Sequence, residues 1–171
     1  MEKSSRRWIR FTVYTVEIIL FFIVQQTPIP KFDSYAINPN IVLTIAVSIA
    51  FFESDVVSMC FGLLVGILMD FGAGVPLCVN TVLFAVLCFF IGFLTSNVIR
   101  TNILNVLWIA VIVIVFSYGM HFLFFYLMKG YDQIEYVLFH NYGPRMLVTF
   151  ILVPVFYLFN KSIMLLTHEK E

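Results

Sequence analysis

The sequence predicts an all-α, polytopic membrane bundle: about six transmembrane helices in a single transmembrane domain covering residues 1–171, with both termini cytoplasmic. Three observations predict it. Of the 171 residues 61% are hydrophobic and only 12% charged, against about a quarter charged in soluble chains. Mean hydropathy is +0.99. The apolar residues also fall in runs long enough to cross about 30 Å of hydrocarbon, which takes around 20 helical residues.

Taken in order, the candidate spans are 8–25, 39–52, 55–71, 75–96, 103–128 and 142–166. The first follows Arg6, Arg7 and Arg10 and runs on without a small-x-small cleavage site, so it reads as a retained span rather than a signal peptide. The second holds only fourteen residues before Glu53 and Asp55 and reads as one arm of a tight helical hairpin with the third. Connections between the second and fifth spans are short. Longer ones cover 26–38, with Pro28 and Pro30, and 129–141, where Ile134, Val137 and Leu138 recur at the spacing of an interfacial helix. With six spans, Lys3, Arg6, Arg7, Arg10, Arg100, Lys161 and Lys170 share one side, and Lys31, Lys129 and Arg145 the other. Seven basic residues against three place both termini in the cytoplasm by the positive-inside rule.

Ten basic and ten acidic residues balance, so net charge points to no nucleic-acid partner. Cys60, Cys78 and Cys88 lie in apolar runs without a CxxC and read as small apolar side chains, not as a metal site or disulfide frame. No GxSxG, paired-aspartate or GxxxxGK[ST] pattern is present among these residues. The chain therefore reads as a non-enzyme with no cofactor and no metal.

The third span carries the most informative pattern. Ser58, Gly62, Gly66 and Asp70 recur every four residues and so form one slowly drifting stripe along a helix. Small residues at this spacing let a second backbone approach closely, where packing replaces the absent hydrophobic drive. The neighbour is either another span of this chain or a partner helix. Asp70 needs a further reason, because a carboxylate at a helix C-terminus opposes the macrodipole. The first amides of the fourth span, beyond the turn Gly72-Ala-Gly74, are candidate partners for it.

Four more polar residues lie within apolar runs. Glu17 sits mid-span, where an acid costs about 2.5–3.5 kcal/mol to insert. His121, Tyr118 and Asn80 join it as possible buried polar contacts, with His121 bonded to Glu17 or Tyr118; Asn160 is a further interhelical hydrogen-bond candidate.

The stretch GLLVGILMDFGAG resembles the signature of the MreD family, small multi-span proteins of the bacterial rod-shape system. Gly62, Gly66 and Asp70 match its G-x-x-x-G-x-x-x-D spacing, Gly72 and Gly74 its turn, and Pro39 the proline that opens the preceding span. Cys78 departs from it, standing where the family usually has glycine. The resemblance implies a non-enzymatic scaffold of the cell-elongation complex in the bacterial plasma membrane. It would bind the single-span protein MreC and, indirectly, couple MreB filaments to the glycosyltransferase and transpeptidase pair of peptidoglycan synthesis. The alternative is the substrate-binding membrane subunit of a small-solute, vitamin-type transporter, with Glu17, His121, Asn80 and Tyr118 lining a pocket.

Overall fold

The computed structural model describes residues 2–27, 39–73, 78–97, 102–125 and 142–168. These form six helices: α1 (Glu2–Gln26), α2 (Ile41–Ala50), α3 (Asp55–Ala73), α4 (Val79–Asn97), α5 (Ile103–Phe125) and α6 (Gly143–His168). There is no strand among them. Five of the six, all but α2, are long and apolar enough to cross a membrane. The expected interfacial helix within 129–141 and the long loop 28–38 lie outside the described residues.

The second candidate span is corrected. Helix α2 has ten residues, about 15 Å at 1.5 Å per residue, half of what a bilayer core requires. Every residue from Val42 to Ala50 is buried. It read as a span because a helix surrounded by protein is apolar all round, as a membrane helix is. Asn40 caps it, its side-chain oxygen accepting the Leu43 N–H at 3.2 Å, and Pro39 precedes the cap. At the far end the Ser58 hydroxyl bonds the Glu53 carbonyl at 3.2 Å, tying the turn between α2 and α3.

Short as it is, α2 still reverses the chain. It begins beside the end of α1, where Gln25 Oε1 accepts the Val42 N–H at 3.1 Å. It finishes beside the start of α1, at the Arg10–Glu53 pair. The remaining helices alternate likewise, so the first turn of α1 and the last turn of α6 lie at the same end of the bundle.

One face of α1 explains how the helices close around α2. Arg10, Tyr14, Glu17, Phe21 and Gln25 follow the i, i+3/i+4 rhythm of a single face. Tyr14 packs edge-on against Phe61 at 5.8 Å, and Phe21 against Phe156 at 4.9 Å. The opposite face, with Trp8, Val16, Leu20 and Ile23, is exposed, as a lipid-facing surface must be. Cys60 and Cys78 also point outward, whereas Cys88 is buried.

Candidate functional site

The most extensive packing in the bundle is α3 against α4, and the stripe on α3 makes it possible. The two helices run antiparallel, so successive stripe residues meet successively earlier turns of α4. A Cβ built on Gly62 would stand 2.5 Å from the Phe84 carbonyl oxygen and 2.9 Å from Cys88 Cβ. One on Gly66 would stand 2.7 Å from the Asn80 oxygen and collide with the Thr81 Cα. All but Cys88 Cβ are backbone atoms, and a Cβ is itself fixed by the backbone, so no rotamer change relieves these contacts. Ser58 is fully buried where α3 begins, and across from it Gly92 supplies a reciprocal small residue: a Cβ there would lie 2.8 Å from Asp55 Cα and 2.9 Å from Ser58 Oγ. Gly92 was missed in the sequence, where it sits alone in an apolar run. The signal was its smallness opposite a recognised stripe.

Asp70 closes the seam. Its Oδ1 accepts the Asn80 N–H at 3.2 Å, and its Oδ2 accepts the Thr81 N–H at 2.9 Å and the Thr81 hydroxyl at 2.6 Å. Those amides belong to the first turn of α4, which starts at Val79 and whose cap position, Cys78, has no side-chain oxygen. Asp70 thus caps a helix that is not its own, its charge set against the positive end of the α4 dipole. Gly72 lies in the last turn of α3 rather than in a loop, and a Cβ there would meet Phe22 and the flexible amide of Gln26. Gly74 lies outside the described residues.

The four polar residues separate into two places. Glu17 is buried in mid-bundle facing the amide of Asn160. Asn160 Nδ2 donates to Ser48 Oγ at 2.8 Å, and the Ser48 hydroxyl donates to the Phe156 carbonyl at 3.0 Å. These bonds tie α2 to α6 through polar atoms, with the Glu17 carboxyl of α1 beside them but making no hydrogen bond of its own. Asn80, Tyr118 and His121 instead line one cavity at the other end of the protein. His121 is exposed rather than buried, with Nδ1 3.3 Å from the Tyr142 hydroxyl and no bond to Glu17. The last turns of α5 stop short of complete enclosure there. The Tyr118 hydroxyl shares a 3.0 Å hydrogen bond with Thr149.

At the end of the bundle where the chain begins lies a further pair that no sequence pattern announced. Arg10 Nη2 donates to Glu53 Oε2 at 3.1 Å, while Nε lies 2.7 Å from Oε1 as an off-line ionic contact. Burial pushes the Glu53 carboxyl above its ordinary range, and the Arg10 guanidinium pulls it partly back. Arg10→Ala is expected to destabilise the bundle by about 2–4 kcal/mol, leaving a buried acid without its partner. Because the folded state then holds the Glu53 proton more tightly than the unfolded state, stability falls as pH rises toward that raised pKa. The defect should therefore shrink on acidification, and Arg10→Ala/Glu53→Gln should recover part of it. Thermal unfolding in detergent across pH checks both.

The model of a protein family described as rod shape-determining protein MreD matches residues 5–166. No curated protein and no solved structure matches the chain.

Proposed function

The chain belongs to the MreD family of rod shape-determining proteins, and on that premise we propose that this multi-pass membrane protein is a non-enzymatic scaffold of the bacterial elongation complex. In the plasma (inner) membrane it binds a single-span MreC-like partner and helps couple MreB filaments to the glycosyltransferase and transpeptidase that build peptidoglycan. The observation that carries the reading is a family match spanning nearly the whole chain. The architecture is compatible with it. Most residues lie in helices, and outward faces such as that of α1 offer a single-span helix broad apolar surface. In this reading Gly62, Gly66 and Asp70 act indirectly. Their contacts are taken up by α4, so they hold the α3–α4 pair in the register that a partner recognises.

The transporter-subunit alternative is less well supported. Its four lining residues do not converge, Glu17 lying apart. The cavity that holds the other three measures about 150 Å³, below the roughly 300–1,000 Å³ usual for small-molecule sites.

Co-purification from native membranes in mild detergent tests the scaffold. A single-span periplasmic partner is expected with the tagged wild type, and less of it with Asp70→Ala at equal membrane insertion. Recovery of an ATPase pair and a second transport subunit would overturn the reading.

A further inference from the structure

Among the described residues three acids are buried: Glu17, Glu53 and Asp70. Glu53 is paired with Arg10, and Asp70 caps α4 through three hydrogen bonds. Glu17 has neither kind of partner. Only 6% of it is exposed, and neither carboxyl oxygen takes part in a hydrogen bond. It stands at the middle of the 20-residue span Arg7–Gln26, where an anion is costly.

Neighbouring charge gives it no relief. The helices packed on α1 are α2, α3 and α6. Neither α2 nor the stretch 56–69 of α3 carries a charged side chain. On α1 itself Arg10 lies two turns away, about 10 Å along the axis, and is engaged with Glu53 of the α2–α3 turn. Lys161 of α6 is exposed, its Nζ 6.0 Å from the centroid of the Tyr157 ring. Tyr14 and Tyr157 complete the titratable surroundings, and neither phenol supplies a positive charge.

The polar side chain that faces Glu17 is Asn160 of α6. Its orientation is fixed by what lies behind it. The Ser48 hydroxyl gives its one proton to the Phe156 carbonyl, so it must accept from Asn160, and Nδ2 is the atom that points there. Asn160 Oδ1 is left buried without a donor, as are both Glu17 oxygens. As an anion, Glu17 adds only acceptors to a place that already lacks donors. A proton reverses this: one carboxyl oxygen becomes a donor, Oδ1 gains a partner, and the charge disappears. Hard metal cations would also neutralise the acid, but Mg²⁺ and Ca²⁺ take about six to eight oxygens. A proton needs no further ligands and no cavity.

We propose that Glu17 is a proton-binding site in the membrane interior, its neutral carboxyl donating to Asn160 Oδ1. The bridge joins α1 to the chain of hydrogen bonds that links Asn160, Ser48 and Phe156 across α6 and α2. The proton comes from water before the helices close around the acid. The site belongs to the bundle itself, is independent of the scaffold role and needs no partner protein.

The test is infrared spectroscopy of the purified full chain in neutral detergent at neutral pH, wild type beside Glu17→Gln. Glutamine keeps the shape and an N–H donor for Oδ1 while removing the acid. The carbonyl stretch of a protonated carboxyl, identified by its shift in deuterated water, is expected in the wild type and lost in Glu17→Gln. In Asn160→Leu the band should persist and move to higher frequency, because the carboxyl hydroxyl has lost its acceptor. A wild type without the band, or a band unchanged in Glu17→Gln, overturns the proposal. A band at the same frequency in Asn160→Leu overturns it equally. Loss of the wild-type band on adding sodium chloride at constant pH would give the site to a metal cation and overturn it too. Should Glu17→Gln fail to yield a monodisperse protein, Glu53→Gln takes its place. With Glu53 gone and Asp70 accepting three hydrogen bonds as a carboxylate, a surviving band belongs to Glu17, and its absence overturns the proposal.

Discussion

Gly66→Leu is expected to separate α3 from α4 and to cost about 3 kcal/mol or more of stability, the upper end of the overpacking range. The reason lies in what the new side chain would meet. Its Cβ alone would overlap the Thr81 Cα and come within 2.7 Å of the Asn80 carbonyl oxygen. Main chain cannot rotate away, so the helices themselves must part, and the Asp70 hydrogen bonds one turn further along part with them. Gly66→Ala should already be destabilising. Gly119→Ala is the matched control: nothing lies within 4 Å of a Cβ there, so the better helix propensity of alanine, worth up to about 1 kcal/mol, should leave the bundle unharmed or firmer. Unfolding midpoints of the three variants in detergent decide the matter. A Gly66→Leu protein as stable as Gly119→Ala would show that α3 and α4 do not meet at this turn.

Reading the sequence found the long helices because a span has one dominant requirement, an uninterrupted apolar run, and composition reports it directly. It misread α2 for the same reason: hydropathy registers that a helix avoids water, not whether lipid or protein surrounds it. The stripe Ser58, Gly62, Gly66 and Asp70 was legible as a close contact, since glycine in a helix interior is unfavourable unless something uses the missing side chain. The identity of the neighbour was not, because the reciprocal feature, Gly92 of α4, has no periodic companions. Long-range polar pairs were hidden more deeply. Arg10 and Glu53 are 43 positions apart, and Asn160 and Ser48 are 112 apart; only the folding of α1 and α6 around α2 brings them together. His121 was read as buried from its apolar neighbours in sequence, but a residue in the last turns of a span can lie beside a polar cavity that sequence neighbours do not reveal.

Asp70→Ala is expected to cost about 3–5 kcal/mol, more than loss of an ordinary surface cap, which is nearer 1 kcal/mol. Three hydrogen bonds to one carboxylate disappear together, and two of their donors, the Asn80 and Thr81 amides, are left in a region where Asn80 is buried. Nothing local replaces them, because Cys78 stands at the cap position without an acceptor oxygen. Asp70→Asn keeps one acceptor and should lose roughly half as much. The arrangement also predicts a rescue. Introducing Cys78→Asp into Asp70→Ala places an acceptor at the cap of α4 itself and should restore about 1 kcal/mol, whereas the same change in the wild type crowds a second negative charge against Asp70 and should restore nothing. Hydrogen exchange at residues 80–82 reads the effect locally: it should rise in Asp70→Ala and fall again in the double variant. Unchanged exchange there would mean that α4 starts without help from α3, and Asp70 would need another reason to sit where its own helix disfavours it.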